Sequence, residues 1–227
     1  MAIITYVLWI LSSKIPVDPI YVPPNDLTIT FPIMSTESVL RTNLENYVIF
    51  GYIFIIILVF FAQMAFPKLF KKFHLFSAIF SHIISISLSG AITNACKSYV
   101  GWPRPTLFTK CGIGYTNCTK SQLDKEFISW PSSHSTTAMS SSSFMIMFIN
   151  NIFRSANSFI LLISTPFIIF ALYVAGSRIK DYKHHPDDVT SGLFIGFVVT
   201  YFVFCSVKKR IFRKEKPYEE ILMEDVA

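Results

Sequence analysis

The chain has 227 residues, 52% of them hydrophobic and 23 of them phenylalanine, and its mean hydropathy of +0.49 is typical of a polytopic membrane protein. Lysine and arginine outnumber the acids by 20 to 14, but these cations lie in short segments beside apolar runs, which argues against a nucleic-acid partner. Four cysteines without a CxxC pair are too few for a disulfide scaffold and do not indicate a zinc site.

The first half of the chain combines a short apolar segment, a long polar connection and two apolar runs. Residues 2–13 are apolar but shorter than the roughly 20 residues that cross a bilayer, so they predict a short or tilted helix, with a signal peptide as the alternative. Residues 14–46 contain several prolines and predict an extended or irregular loop. Residues 47–66 and 75–96 are predicted to be the next two spans.

The second half of the chain begins with residues 97–130, the longest hydrophilic insert between two spans. Three further spans are predicted at residues 131–152, 159–175 and 189–207. The remaining tail, residues 208–227, is basic at its start. We therefore expect an all-α membrane bundle of about six helices, forming one domain over residues 1–227 with its core at about 47–207.

The basic residues between the spans predict how the chain crosses the membrane. If the spans alternate, the cations near Lys68, Arg154 and Lys208 fall on one side, which the positive-inside rule makes cytoplasmic together with the C-terminal tail. Three polar segments then share the opposite face, towards the lumen or the cell exterior: residues 14–46, 97–130 and 176–189. A site assembled between helices requires such convergence. The sequence does not select between the endoplasmic reticulum, the vacuole and the plasma membrane.

The insert carries two features that fit an oxidising compartment. Asn117 begins a glycosylation sequon, Asn-Cys-Thr, which is usable only on the luminal or extracellular side. Cys111 and Cys118 lie close enough in sequence to pair as a disulfide there. Cys96 and Cys205 lie in or beside spans and are expected to be free, buried thiols.

Two polar clusters lie at the ends of predicted spans. Lys97 and Arg104 are separated by a turn-forming stretch and together suit a phosphate, although cations at a membrane surface also contact lipid headgroups. Ser132, Ser133 and His134 follow a proline that opens a span, where free N–H groups and the helix dipole favour an anion. The alternative for this second cluster is a capping serine beside a solvated histidine.

The third cluster, residues 176–189, contains six charged residues and two histidines between two spans. Pro186 suits the first position of a helix, which would place Asp188 in the opening turn and His184 just ahead of it. A carboxylate within reach of an imidazole can hold one ring nitrogen and leave the other free to act. Arg178 adds a cation. An ordinary charged loop is the alternative for this cluster alone, but the three clusters jointly suit phosphoryl transfer.

The three clusters resemble the signature of the type 2 phosphatidic acid phosphatase superfamily, which reads Lys-x6-Arg-Pro, then Pro-Ser-Gly-His, then Ser-Arg-x5-His-x3-Asp. The matching residues of this chain are Lys97, Arg104 and Pro105, then Pro131, Ser132, Ser133 and His134, then Ser177, Arg178, His184 and Asp188. Their order, spacing and placement at span ends all agree with that signature. The resemblance covers residues 25–207 approximately, and the tract SRIKDYKHHPDDV is similar to the lipid phosphate phosphatase branch.

The resemblance implies a membrane phosphatase for lipid phosphates such as phosphatidic acid, lysophosphatidic acid and diacylglycerol pyrophosphate. It implies His184 as the nucleophile that forms a phosphohistidine, Asp188 as the carboxylate that orients it, and His134 as the general acid. The implied phosphate ligands are Lys97, Arg104, Ser132, Ser133 and Arg178. Neither a metal nor another cofactor is implied, because the cations neutralise the phosphate.

One residue departs from the signature, since Ser133 stands where the family has glycine. If that position needs a positive φ, serine would cost about 1 kcal/mol or more, and phosphate affinity or substrate range would differ. His185 and Asp187 are interpreted as supporting or structural neighbours. A polyprenyl or dolichyl pyrophosphate phosphatase is the second hypothesis, and a non-catalytic lipid-binding or scaffolding relative is the third. The sequence does not select between a monomer and a homo-oligomer. The intact histidines and carboxylate argue against that third hypothesis.

Overall fold

The computed structural model of the protein describes residues 1–153 and 158–212. Within these two ranges the chain forms nine α-helices and no strand longer than an isolated bridge between Phe70 and Phe153. The helices are α1 (Ala2–Ser12), α2 (Arg41–Asn46), α3 (Tyr52–Ala65), α4 (Leu75–Val100), α5 (Leu107–Cys111), α6 (Lys120–Glu126), α7 (Ser133–Ile152), α8 (Ser158–Lys180) and α9 (Pro186–Ile211). A π-helical turn, Tyr47–Gly51, joins α2 and α3 into one continuous helix.

Four helices of the described part are long and apolar enough to cross a membrane: Arg41–Ala65, Leu75–Val100, Phe159–Lys180 and Pro186–Ile211. The prediction of an all-α membrane bundle is confirmed. Helix α1 is apolar but shorter than these four. Helix α7 is not among them because its first half is rich in serine and threonine, and it buries those hydroxyls between neighbouring helices.

Three helix boundaries differ from the sequence prediction, and the differences matter for the site. Helix α2 begins at Arg41, inside the segment that the prolines predict to be irregular, because the proline-free end of that segment continues into the apolar span. Helix α4 runs on to Val100 and ends at Gly101, whose φ of 57° is a left-handed conformation that favours glycine. Helix α8 extends to Lys180, so the loop before α9 comprises only residues 181–185.

Helix α7 is the centre of the bundle and packs against α4, α8 and α9. Glycines of α9 allow a close approach to α7, because a Cβ at Gly192 would lie 2.6 Å from the carbonyl oxygen of Ser132, and one at Gly196 would lie 2.5 Å from that of Thr136. At the top of this contact the Ser132 N–H donates to the carbonyl oxygen of Asp188 at 2.9 Å. Tight helix packing therefore joins the N-terminal ends of α7 and α9.

The opposite end of the bundle is closed by the connection between α3 and α4. The Lys71 N–H donates to the carbonyl oxygen of Ile152 at 2.7 Å, and the His74 N–H donates to that of Ile211 at 2.9 Å. The basic connection thus contacts the C-terminal ends of α7 and α9. Arg154 and residues 213–227 of the tail, which the sequence assigned to the same side, lie outside the described residues.

Candidate active site

A cavity of about 550 Å³ opens between the end of α1, the C-terminal ends of α4 and α8, and the N-terminal end of α7. Six of the residues predicted from the sequence line it: Lys97, Arg104, Ser133, His134, Arg178 and His184. Four further cations line it: Arg41, Lys110, Lys125 and Lys183. Only three acids do so, namely Glu37, Glu126 and Asp181, so the wall carries an excess of positive charge that suits an anionic ligand.

His184 and Asp188 form the hydrogen-bonded centre of the site. The His184 Nδ1 atom lies 3.4 Å from Asp188 Oδ2 and 3.4 Å from the hydroxyl oxygen of Ser129. That hydroxyl donates to Asp188 Oδ2 at 2.5 Å, and the His185 N–H donates to the same oxygen at 2.8 Å. The Ser129 hydroxyl therefore contacts both the carboxylate and the imidazole. These contacts involve Nδ1 of His184, so its Nε2 atom is left free to react.

Burial keeps the His184 imidazole neutral. Its side chain is only 4% exposed, and this burial, together with the positive charges of Arg104 and Lys97, lowers the pKa of His184 well below its usual value of 6.5. Asp188 at 3.4 Å favours the charged form, but burial and the cations outweigh it. A neutral imidazole has the free lone pair that a nucleophile needs.

Lys97 and Arg104 are held in place by backbone carbonyl groups. The Lys97 ammonium, in the last turn of α4, donates to the carbonyl oxygens of Ile128 at 2.7 Å and Ser129 at 3.1 Å. The Arg104 guanidinium donates to the carbonyl oxygen of Lys183 at 2.9 Å. Neither of these contacts involves a carboxylate, so both side chains can still donate to an anionic ligand.

The start of α7 brings His134 to the cavity and places Ser132 at the N-cap of the helix. Ser132 is the N-cap residue, fully buried, and its hydroxyl oxygen accepts from the N–H and the hydroxyl of Ser135. It is not part of the cavity wall. Ser133 is the first helical residue and does not have a positive φ, so serine carries no backbone cost there. The His134 Nε2 atom is buried without a hydrogen-bond partner.

Arg178 is almost fully buried and is paired with two carboxylates. Its guanidinium donates to Glu37 at 3.2 Å, to Asp181 at 3.0 Å and to the hydroxyl oxygen of Ser177 at 3.0 Å. Asp181 also accepts from the N–H and the hydroxyl of Ser38. Arg178, which the family resemblance implies as a phosphate ligand, thus lies in the cavity wall. Its two acidic partners were not indicated by the sequence.

The insert between α4 and α7 lines one side of the cavity. Cys111 and Cys118 are joined by a disulfide, and Asn117 is exposed. Cys96 is half-buried. The expectation of a buried thiol is wrong for Cys205, which is exposed on α9.

Among the site residues that the sequence did not indicate, Ser129 and Glu37 make the contacts that matter most here. Ser129 lies three positions before the serine cluster, but a single serine at the end of a polar insert has no spacing signal. Glu37 comes from a proline-rich connection far from the other clusters, and only tertiary contacts bring it to Arg178. No pattern in the sequence singles out either residue.

The fold and the site together define a class: a helical membrane protein with a cation-lined cavity that contains a histidine–carboxylate pair. Residues 78–212 match the family model of the PAP2 superfamily. This match covers more than half of the chain, so the chain belongs to the PAP2 superfamily, and it is a multi-pass integral membrane protein. The family resemblance inferred from the motifs is confirmed.

Curated relatives agree with this family. The chain is 32% identical over 149 residues to lipid phosphate phosphatase 2 of Arabidopsis thaliana, a match that covers 58% of this chain and 51% of that protein. It is 26% identical over 221 residues to diacylglycerol pyrophosphate phosphatase 1 of Saccharomyces cerevisiae, covering 83% of this chain and 69% of that protein. The chain spans about half the length of several of these relatives. No solved structure matches it.

Proposed function

We propose that this protein is an integral-membrane, magnesium-independent lipid phosphate phosphatase that works through a phosphohistidine. The observation that carries the proposal is the placement of His184 and His134 in one cation-lined cavity, with Asp188 and Ser129 behind His184. The names of the curated relatives support the same reaction class. Charge neutralisation by protein cations takes the part that a metal plays in other phosphoryl-transfer sites.

In the first proposed step, the His184 Nε2 lone pair attacks phosphorus and the P–O bond to the lipid alcohol breaks. The departing oxygen takes a proton from His134. A negative phosphate bound beside His134 favours the imidazolium form of its ring, and this is the form that can donate the proton. Asp188 stabilises the positive charge that His184 gains, and the remaining cations hold the phosphoryl oxygens.

In the second proposed step, a water molecule attacks the phosphohistidine. His134, now neutral, takes the proton of that water, and the N–P bond breaks. Inorganic phosphate leaves, and His184 returns to its neutral form. Both histidines have then returned to their starting protonation states. The reaction consumes only the lipid phosphate and one water molecule.

The proposed substrates are phosphatidic acid, lysophosphatidic acid and diacylglycerol pyrophosphate. The last of these is favoured by the Saccharomyces cerevisiae relative and by the number of cations that line the cavity beyond the three of the signature. The proposed orientation puts the cavity towards the lumen or cell exterior. It rests on the cations of the α3–α4 connection and of the last turn of α9, which lie at the opposite end of the bundle.

The proposal is tested with purified protein in detergent micelles that contain EDTA. We expect phosphate release from at least one of four lipids: phosphatidic acid, lysophosphatidic acid, diacylglycerol pyrophosphate or a polyprenyl pyrophosphate. His184→Ala should abolish release, and the adjacent His185→Ala should reduce it far less, because it is the His184 ring that lies beside the Asp188 carboxylate and the Ser129 hydroxyl. Exclusive turnover of the polyprenyl substrate would favour the second enzyme hypothesis, and lipid binding without any release would contradict a phosphatase.

A further inference from the structure

Glu37 occupies an unusual position for an acid in a phosphate site. Its two carboxylate oxygens contact two different cations of the cavity wall: Oε2 lies 3.2 Å from Arg178 and Oε1 lies 3.0 Å from Lys183. Both cations line the cavity beside His184. A phosphate group could bridge the same two cations with two of its oxygens. Glu37 therefore occupies N–H donors that a bound phosphate would use.

Arg178 does not depend on Glu37 for its position. The buried Asp181 carboxylate and the buried Ser177 hydroxyl each bind a separate nitrogen of the guanidinium, and neither contact involves Glu37. Asp181 is itself fixed by two hydrogen bonds from Ser38. Glu37, whose side chain is 32% exposed, is the least buried partner of Arg178.

A displaced Glu37 side chain has room nearby. Glu37 also lines a second cavity of about 310 Å³ between α2 and α8, whose other lining residues include Asn43 and Tyr173. The backbone beside Glu37 is anchored, because the Ser38 N–H donates to Asp181 at 2.7 Å. Glu37 therefore borders both cavities, while the backbone next to it is held by Asp181.

We propose that Glu37 competes with the substrate phosphate for Arg178 and Lys183, and that it sets how tightly this site holds phosphate. The inference rests on the proposed phosphatase function and concerns the same site. A phosphate that enters the cavity replaces the carboxylate at both cations, and Glu37 returns when the product phosphate leaves. An internal anion of this kind weakens substrate and product binding together and so favours release of the product.

The electrostatic environment supports competition over a purely structural role. Although burial alone raises it, the hydrogen bonds and charges of Lys183 and Arg178 bring the pKa of Glu37 below its usual range, so the carboxylate is ionised at neutral pH. An ionised Glu37 next to a phosphate adds repulsion between like charges. Removal of its charge should therefore strengthen phosphate binding, whereas removal of a positioning residue should weaken it.

The test compares Glu37→Gln with wild type and with two reference variants in EDTA-containing micelles. We expect Glu37→Gln to lower both KM and the inhibition constant of inorganic phosphate by about tenfold. Asp181→Asn should raise both, because it removes the buried partner that fixes Arg178. Asp18→Asn, which removes an exposed acid from the same connection, should leave both unchanged.

Whether KM and the phosphate inhibition constant of Glu37→Gln fall or rise decides between competition and a structural role. A Glu37→Gln variant whose KM and phosphate inhibition constant rise, or stay at the wild-type values, overturns the competition. The same affinities are measured without turnover by titrating the purified protein with inorganic phosphate. If wild type hydrolyses no lipid, the proposed function fails, while the titration still reports whether Glu37→Gln gains affinity for phosphate.

Discussion

At the scale of single residues, the site depends on the groups that hold the proposed nucleophile His184 in position. Asp188 Oδ2 and His184 Nδ1 are 3.4 Å apart, a long distance for a direct hydrogen bond, and the Ser129 hydroxyl contacts both. The Ser129 carbonyl oxygen also accepts from Lys97. One residue therefore aligns the proposed nucleophile, its carboxylate and a phosphate-binding cation.

Replacement of Ser129 tests this alignment. We expect Ser129→Ala to lower kcat by about tenfold to a hundredfold with a smaller effect on KM, because Asp188 loses a donor and the imidazole loses a neighbour while the phosphate ligands remain. Ser129→Thr retains the hydroxyl and should recover part of the activity. Steady-state kinetics of both variants provide the measurement, and an unchanged kcat in Ser129→Ala would show that Asp188 orients His184 without help.

At the scale of secondary-structure elements, the contact between α7 and α9 positions the chemistry. Helix α9 carries Asp188 in its first turn, and helix α7 carries His134 in its first turn. The two helices approach closely only because Gly192 and Gly196 have no side chain. A stripe of small residues in a membrane helix thus determines the distance between the proposed acid and the carboxylate.

A matched pair of glycine variants tests the importance of this contact. Gly192→Ala would place a Cβ 2.6 Å from the Ser132 carbonyl oxygen, so we expect a lower melting temperature and at least a tenfold loss of turnover. Gly176→Ala adds the same methyl group to α8, where nothing lies within 4 Å, and should keep activity and gain slightly in stability. Thermal unfolding in detergent and phosphate release distinguish the two. Equal behaviour of both variants would contradict the packing argument.

At the scale of the whole molecule, the cavity and the basic α3–α4 connection are divided between opposite ends of the bundle. The cations of the α3–α4 connection and of the last turn of α9 lie at the end opposite the cavity. The insert that bears Asn117 lies at the cavity end, and its cystine is formed. This division supports the orientation proposed above.

Glycosylation provides a direct test of that orientation. When the protein is made in a eukaryotic membrane system, we expect a glycan at Asn117 that is removed by endoglycosidase and is absent in Asn117→Gln. Cells with a selectively permeabilised plasma membrane should admit antibodies to a tag on the C-terminus. An engineered sequon in the α3–α4 connection that becomes glycosylated would contradict the orientation.

The motifs made much of the site predictable before any fold was known. Lys97, Arg104, His134, Arg178 and His184 were identified by order and spacing, and all five line one cavity. Helix ends were less predictable, since polar residues such as Arg41 can extend a membrane helix beyond its apolar part. The expected strain at Ser133 does not occur, because its backbone lies in the first turn of α7.

The amino-acid sequence by itself determined the helical membrane fold, the family and the side chains that perform the proposed chemistry, because hydrophobic length and motif spacing are local properties of the chain. Only the tertiary structure decided how these side chains are held. Ser129 joins His184 to Asp188, and Glu37 reaches Arg178 from 141 residues away along the chain. Such contacts arise when helices pack and connections fold over them, and no local pattern records them.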